Sequence, residues 1–289
     1  MRRKKVPYVT YAIIIIGSIV MIFPFLEMIF SSLKGIEEYT KMEYSLFPET
    51  YHFENYGEAV DQLELAKLFK NSLIKSIVTT ILVLLTSAMG GYALTKLRFR
   101  GRNGIFRFIL STMMFPSFMF LIPNFYIIVH FPLVGGNDIL GSGGGGLATS
   151  ILALILPFAV SAFGIFLMRQ FIMNIDDAYI EAARLDGASE AHIFFRLILP
   201  MTTPALATLA IFEFIGSWNE FIWSLLMNSI NPDLATLPVG IQTLKNHLDP
   251  ASTAPLVMSG LVISTVPILI VFIFLQKYYV RGMMNSGLK

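Results

Sequence analysis

The sequence predicts an all-α integral membrane protein with six transmembrane helices. Of its 289 residues, 55% are hydrophobic and 14% are charged, and the mean hydropathy is +0.68. A soluble chain carries about 25% charged residues. Here the charges lie in short segments between apolar stretches of roughly 20 residues, which match the thickness of a bilayer core and are too long for barrel strands. The composition excludes a soluble enzyme, a nucleic-acid-binding domain and a secreted disulfide scaffold.

Six apolar segments are long enough to be the predicted spans. The first, residues 11–33, follows the basic start MRRKK. It is longer than the hydrophobic region of a signal peptide, which is about 7–15 residues, and no A-x-A cleavage site follows it. We therefore expect an uncleaved first span. The other five are predicted at residues 72–97, 104–130, 147–168, 201–228 and 254–276.

Lysine and arginine indicate the orientation of these spans. Fifteen of the 21 basic residues lie at the two termini, around the turn at 98–103 and in the loop at 169–200. Basic residues concentrate on the cytoplasmic side of a membrane. We therefore expect a multi-pass membrane protein with both termini cytoplasmic. The extracytoplasmic segments are then 34–71, 131–146 and 229–253.

Several kinds of chemistry are excluded by the residues present. The chain has no cysteine, so it has no disulfide, thiolate metal site or thiol nucleophile. Its four histidines lie in separate segments without metal-ligand spacing, so we predict no metal site. The glycine run at Gly141 to Gly146 is not followed by Gly-Lys-Ser/Thr and is interpreted as a flexible turn. We predict no catalytic residue and no ATP hydrolysis by this chain.

The loop at 169–200 is predicted to form two short helices joined by a tight turn. For the first helix, Asn174 is a candidate N-cap, Asp176 and Asp177 occupy the first turn, and Gly187 suits the left-handed position that ends it. Acidic side chains are favourable at this end because the helix dipole is positive there.

The second helix of this loop is predicted to start at Glu190 after the cap Ser189 and to end against Pro200. Its apolar face is formed by the following three residues: Ile193, Phe194 and Leu197. One interpretation is an amphipathic hairpin on the lipid surface. A hairpin inserted into a partner protein better explains the small alanines and the acidic Glu181 of the first helix.

These residues carry a family resemblance. Glu181-Ala182-Ala183, three residues, Gly187, nine residues and Leu197-Ile198-Leu199-Pro200 resemble the EAA loop of bacterial ABC importer permeases, with Leu197 where the usual pattern has Ile. The segments SSLKG, FENY, SWNEF and YYVRGMMNSGLK extend the resemblance over nearly the whole chain. Together they are similar to the second permease subunit of carbohydrate importers of the maltose type.

The resemblance implies that residues 1–289 form a single permease domain with the type I (MetI-like) ABC importer fold, in a bacterial inner membrane. Its expected partners are a second related permease, two ATPases that bind ATP and Mg²⁺, an extracytoplasmic sugar-binding protein and the sugar. No nucleic-acid partner and no cofactor of its own are expected.

The resemblance also assigns roles within the loop. In the family, the EAA hairpin sits in a groove of the ATPase, and its glutamate pairs with a basic residue there. Glu181 is then the ionic anchor, Ala182 and Ala183 are the close-packed surface, and Gly187 forms the turn. Together with Asp186, these residues form the predicted ATPase-coupling set, called the coupling set below. The tail at 282–289 is also expected to reach toward the ATPases.

Three carboxylates, Glu27, Glu213 and Glu220, fall within predicted spans. An ionisable group there is costly and normally faces a cavity, a partner helix or the interface. Because hydroxyl-rich ligands suit carboxylates, amides and aromatic rings, the predicted substrate-path candidates are Glu213, Trp218, Asn219 and Glu220. In the alternative, Asn219 and Glu220 only lock the helix, and Trp218 and Trp223 are interface anchors.

Two outer segments have open interpretations. The segment at 34–71 is interpreted as a solvated interfacial cap, with direct ligand binding as the alternative. By the resemblance, residues 231–250 contact the binding protein, with Leu237, Gln242 and Asn246 as candidates. A covering or re-entrant loop is the alternative there.

Three alternative functions are compared with this one. A permease for a non-sugar solute fits the same loop. A stand-alone secondary transporter predicts paired broken helices in an inverted repeat, which the sequence does not reveal. A membrane-embedded enzyme needs clustered ionisable groups, and three separated glutamates support it poorly.

Overall fold

The computed structural model describes residues 8–41, 43–62, 64–247 and 250–286, with side chains left undescribed at 245–252 and 278–286. All regular structure in these residues is helical, which confirms the predicted class. The α-helices are α1 (Tyr8–Ser32), α2 (Ile36–Thr40), α3 (Glu54–Gln62), α4 (Leu65–Lys96), α5 (Arg102–Thr112), α6 (Leu121–Val129), α7 (Leu152–Ile155), α8 (Ala162–Met173), α9 (Asp177–Leu185), α10 (Glu190–Ile193), α11 (Leu199–Met201), α12 (Thr203–Asn219), α13 (Ile222–Asn228), α14 (Leu237–His247) and α15 (Pro250–Ser286).

Short helical segments of other types connect these elements. A π-helical turn, Phe194–Ile198, joins α10 to α11. The 3₁₀ segments of the described chain are Ser117–Phe120, Gly146–Thr149, Leu156–Phe158 and Pro232–Leu234. The glycine run at 141–146, predicted to be flexible, takes part in a hydrogen-bonded turn in which Asn137 accepts from the backbone N–H of Gly144 at 2.8 Å.

Three helical stretches are individually long and apolar enough to cross a bilayer: Tyr8–Ser32, Leu65–Lys96 and Thr253–Lys277. Three more candidates are pairs of helices bent at a short break. They are Arg102–Thr112 with Ser117–Val129 (98°), Leu152–Phe158 with Ala162–Met173 (48°), and Glu190–Met201 with Thr203–Asn219 (77°). Counted as one span each, they bring the described chain to the six predicted spans.

The breaks themselves were not predicted. Pro116 directly precedes the Ser117–Phe120 segment, and proline cannot donate the backbone hydrogen bond that would continue a helix. Ser161 ends another break by capping α8, since its hydroxyl accepts from the N–H of Gly164 at 3.0 Å. Irregular backbone at membrane depth is tolerated only where protein or a water-filled cavity surrounds it.

The predicted continuous helix at 201–228 is wrong. The chain leaves α12 at Glu220, whose backbone is extended (φ −65°, ψ 120°), and resumes as α13 at Ile222. The interruption is stable because the Glu220 carboxylate caps the new helix, accepting from the N–H of Trp223 at 2.6 Å.

The chain divides into two compact units, residues 1–68 with 237–266 and residues 69–236 with 267–289. In the first unit, Asn55 of α3 donates to the carbonyls of Ser32 and Lys34, each at 2.9 Å. Ser259 of α15 donates to the same Ser32 carbonyl at 3.3 Å. These bonds satisfy the C-terminal carbonyls of α1. The expected single domain stays a prediction.

The second unit is built around α4, α8, α12 and the helices between them. Its main core consists of Val83, Ala88, Tyr92, Met168, Ile172, Ile180, Ile193, Phe194, Ile198, Ala205 and Leu209. Helices α4 and α8 approach closely at Gly91, where a Cβ atom would lie 2.9 Å from both the Arg169 backbone N and the Met168 Cβ. Small residues permit this close packing of membrane helices.

We expect Gly91→Ala to destabilise the protein, because the added methyl must displace backbone in α8. Overpacking of this kind costs about 1–3 kcal/mol. The matched control is Gly216→Ala in α12, where a Cβ would meet nothing within 4 Å. Thermal unfolding of the detergent-purified chain measures the difference. Equal midpoints for the two variants would contradict the close contact.

Candidate functional site

The predicted cytoplasmic hairpin is present, with a different first cap. Asp176, not Asn174, caps α9: its backbone is extended and its Oδ1 accepts from the N–H of Ala178 at 3.0 Å. The prediction for Asn174 is wrong because its backbone is still helical, and it ends α8 instead.

The turn of the hairpin follows the prediction. Gly187 has a positive φ of 81°. Its N–H donates to the Arg184 carbonyl and the N–H of Ala188 donates to the Ala183 carbonyl, both at 3.0 Å. This pair of bonds is the Schellman pattern that closes a helix on a left-handed residue. Ser189 then caps α10, its hydroxyl accepting from the N–H of His192 at 3.3 Å.

The second helix ends one residue after Pro200, close to the predicted end. The helical run continues through the π-helical turn to Met201. Pro200 lies in the first turn of the segment Leu199–Met201, where its missing N–H is tolerated.

The hairpin has one buried and one exposed face. Ile180, Ile193 and Phe194 are buried in the core of the second unit, and Ala183 and Leu197 pack against that core. The predicted apolar face is confirmed. It packs within the chain itself, so it does not serve as a lipid-facing surface.

The opposite face carries most of the predicted coupling set. Glu181, Ala182 and Asp186 are exposed, and Leu185 beside them is 89% exposed. Glu181 makes no hydrogen bond or ion pair within the described residues. A free carboxylate next to an exposed leucine and small alanines is a surface suited to a partner that offers a cation and a shallow apolar groove.

Two polar contacts attach the hairpin to the end of α4. Lys96, whose side chain is 7% exposed, donates to Asp177 Oδ1 at 2.5 Å and to the Ile175 carbonyl at 2.6 Å. The hydrogen bond and charge of this ammonium group hold the pKa of the Asp177 carboxyl below its usual value. In the sequence, Lys96 indicates only the orientation of the spans, and this contact with the hairpin was not predicted.

The second contact joins the other helix of the hairpin to α4. Tyr92 of α4 donates its hydroxyl to Glu190 Oε2 at 2.5 Å. Arg184 Nε donates to Glu190 Oε1 at 2.7 Å. Both arms of the hairpin are therefore fastened to α4 within two turns of its end.

Among the predicted path residues, Glu220 is held in an ion pair that the sequence analysis missed. Lys75 of α4 is 1% exposed, and its Nζ donates to Glu220 Oε2 at 2.7 Å and to Ser224 Oγ at 2.9 Å. The Ser224 hydroxyl also donates to Glu220 Oε2 at 2.8 Å.

A signal for Lys75 was available in the sequence. It lies inside a predicted span, next to Ser76, and its neighbours at helical spacing are Ser72 and Thr79. All three are buried, as is Lys75. A lysine on a polar stripe of a membrane helix needs a buried acidic partner.

The other path candidates differ from one another in burial and surroundings. Trp218 is buried, with ring centroids 5.6 Å from Phe69 and 5.8 Å from Phe214. Trp223 is also buried, and its Nε1 donates to the Ala153 carbonyl at 2.9 Å. The alternative that these tryptophans are interface anchors is therefore wrong.

Glu213 and Asn219 are more accessible. Glu213 is half-buried, and its carboxyl shares a hydrogen bond with the side chain of Ser161. Asn219 is exposed and, together with Glu220, lines a cavity of about 440 Å³. Glu213 and Trp218 are not part of that lining.

The predicted binding-protein segment is largely helical. Helix α14 spans Leu237–His247 and follows the short 3₁₀ segment Pro232–Leu234. Leu237 is fully buried, so it offers no surface to a partner in this structure, and Gln242 is half-buried. The side chain of Asn246 lies outside the described residues, as do residues 287–289 of the predicted ATPase-facing tail.

A helical membrane chain with broken spans and an exposed hairpin between two of them defines the class of membrane-embedded transport subunits. Residues 83–285 match the family described as "binding-protein-dependent transport system inner membrane component". The chain belongs to this family.

Similar proteins support the resemblance to carbohydrate-importer permeases. The arabinooligosaccharides transport system permease protein AraQ of Halalkalibacterium halodurans is 33% identical over 296 residues, covering 100% of both chains. The diacetylchitobiose uptake system permease protein NgcG of Streptomyces coelicolor is 30% identical, covering 98% of this chain and 89% of that protein.

A solved structure supports the fold. The crystal structure of a bacterial ABC transporter involved in the import of the acidic polysaccharide alginate has a chain that matches with a TM-score of 0.79 and 26% identity. The match covers 94% of this chain and 95% of that chain. The predicted ABC importer permease fold is confirmed.

The ion pair in the second unit yields a stability prediction. We expect Lys75→Met to lower the free energy of unfolding by about 3–5 kcal/mol, because it leaves the Glu220 carboxylate without its cation. Lys75→Met combined with Glu220→Gln should lose less, since the amide oxygen can still cap α13 without a charge.

Exposed Lys70 of the same helix provides the control, Lys70→Met. Thermal and denaturant unfolding in detergent of the wild type, Lys75→Met, Glu220→Gln and the double variant give a double-mutant comparison, with Lys70→Met alongside. A double variant no more stable than Lys75→Met alone would argue against the ion pair.

Proposed function

We propose that this chain is the second permease subunit of an ATP-driven importer for a carbohydrate, in the oligosaccharide class. The observation that carries the proposal is the exposed hairpin at 176–193, fastened by Lys96 and Tyr92 to the end of α4. Full-length similarity to permeases named for arabinooligosaccharides and diacetylchitobiose supports the cargo class.

The proposed assembly contains a related permease, two ATPases and an extracytoplasmic sugar-binding protein. ATP and Mg²⁺ bind to the ATPases, and this chain contributes no catalytic residue. Glu181 forms an ion pair with the ATPase, Ala182 and Leu185 pack into its groove, and Asp186 lies at the rim. Nucleotide-driven movement of the ATPases then displaces the hairpin and alternates access to the path.

Sidedness follows from the contacts at the end of α4. The guanidinium carbon of Arg169 lies 4.0 Å from the ring centroid of Phe106, next to the arginine-rich turn at 98–102. The hairpin and this basic turn therefore lie at the same membrane side, and the concentration of arginine supports a cytoplasmic location. An even number of spans, six if each bent pair counts as one, supports the proposal that both termini lie on that side as well.

The proposal predicts that Glu181→Ala weakens the complex with the ATPases, because it removes the anchoring carboxylate. We expect ATPase co-purification and sugar uptake both to fall, by roughly tenfold for loss of one charged hydrogen bond. Glu58→Ala, which removes an exposed carboxylate from α3, should leave both unchanged. Normal ATPase association in Glu181→Ala would refute the assigned role.

The contact between Lys96 and Asp177 predicts a coupling phenotype. Lys96→Asp or Asp177→Lys should reduce the number of sugars moved per ATP hydrolysed, because the hairpin loses one of its attachments to α4. The double variant should recover part of that ratio, since opposite charges again face each other. The ratio is measured in proteoliposomes containing the full complex. If the double variant were no better than the single variants, transmission through this pair would be excluded.

A further inference from the structure

Several helix interruptions of the second unit meet at the cavity of about 440 Å³. Ser117 and Phe118 follow the break after α5, Phe158 precedes the break before α8, and Asn219 and Glu220 form the break between α12 and α13. The volume lies within the range of small-molecule sites, about 300–1,000 Å³. Broken helices that surround a cavity are a recurrent way to build a solute site inside a membrane.

Two amide side chains on the cavity wall lack partners. Asn124 is half-buried and Asn219 is exposed, and neither side chain makes a hydrogen bond within the described residues. Each amide has two donor hydrogens and a carbonyl acceptor. Such groups would be costly against lipid tails, so the open side of the cavity faces an aqueous path, a bound polar solute or a polar surface of a partner subunit.

Aromatic rings also line the cavity. Phe118 and Phe158 are 66% and 37% exposed, so both rings can be contacted from the cavity. Phe158 is held edge-on to Trp223, with ring centroids 6.3 Å apart at 82°. Apolar faces beside hydrogen-bonding amides match the two kinds of surface on a sugar ring.

The cavity carries no uncompensated charge. Glu220 is the one acidic residue on the lining, and no basic residue lines it. Its Oε2 pairs with Lys75, and its Oε1 accepts from the Trp223 N–H. The carboxylate is therefore neutralised and committed to the protein. An anionic sugar would find no cation here to replace its lost hydration.

From this geometry we infer that the cavity is a binding subsite for one residue of a neutral oligosaccharide, with Asn124 and Asn219 bonding hydroxyl groups and Phe118 and Phe158 packing on the ring. Lys75 is a positioning residue: it holds Glu220 and thereby the helix break that places Asn219 on the cavity wall. The inference rests on the proposed import function and narrows it. A neutral sugar would distinguish the cargo of this chain from that of its structural relative, which belongs to an importer of acidic alginate.

The test uses the complete transporter with its own partner subunits in proteoliposomes. The probes are arabinotriose, which is neutral, and an alginate trisaccharide, which is acidic. Asn124→Leu and Asn219→Leu keep the branched shape and the number of side-chain heavy atoms and remove hydrogen bonding. Each should raise the KM for arabinotriose uptake by about three- to tenfold, because one or two hydrogen bonds are lost. Asn228→Leu, on α13 but outside the lining, is the matched control and should leave KM unchanged.

The outcomes separate the subsite from the import function. If the wild-type complex takes up neither probe and no other neutral oligosaccharide, diacetylchitobiose included, the proposed function fails and the subsite with it. If it takes up arabinotriose and both variants keep the wild-type KM, import stands and the subsite is overturned. Alginate uptake with a KM equal to that of arabinotriose overturns the neutral assignment. A raised KM confined to the two cavity variants, with arabinotriose preferred, supports the subsite.

Discussion

The backbone of a membrane helix cannot be interrupted unless another group satisfies the hydrogen bonds that the interruption frees, and the Glu220 carboxylate does this here. It accepts from the N–H groups of Trp223 and Ser224, while Lys75 compensates its charge. Because the side chains of Lys75 and Glu220 are only 1% and 19% exposed, removal of either one leaves a charge that water compensates poorly. The break that it stabilises places Asn219 on the wall of the cavity.

Helix α4 connects this interaction to the hairpin. Lys75 lies about six turns from Lys96 on the same helix, and both lysines are nearly buried. One supports the break beside the cavity, and the other holds Asp177 of the hairpin. A rigid helix with a fixed polar contact near each end gives the hairpin and the cavity wall a common support. This arrangement is consistent with the proposed transmission of movement from the ATPases to the substrate path.

Helical class, span number and the hairpin turn were predictable because each depends on local patterns. Apolar length defines a span. The Gly187 and Ser189 signals act within one helical turn of their own position. The cap at Asp176 was misplaced by two residues because Asn174 and Asp176 are both good caps, and only the backbone conformation distinguishes them. The break at Glu220 was missed because Lys75, the cation that compensates its capping carboxylate, is 145 residues away.

The sequence by itself determined a helical membrane protein with an EAA loop, since hydropathy and short-range spacing suffice for both. The tertiary structure decided which charges are free and which are committed. Glu181 and Glu220 are the same residue type, yet Glu181 is exposed with no partner in the described part of the chain and Glu220 forms an ion pair with Lys75. That difference depends on which helices pack together, and packing between distant segments leaves no local pattern in the chain.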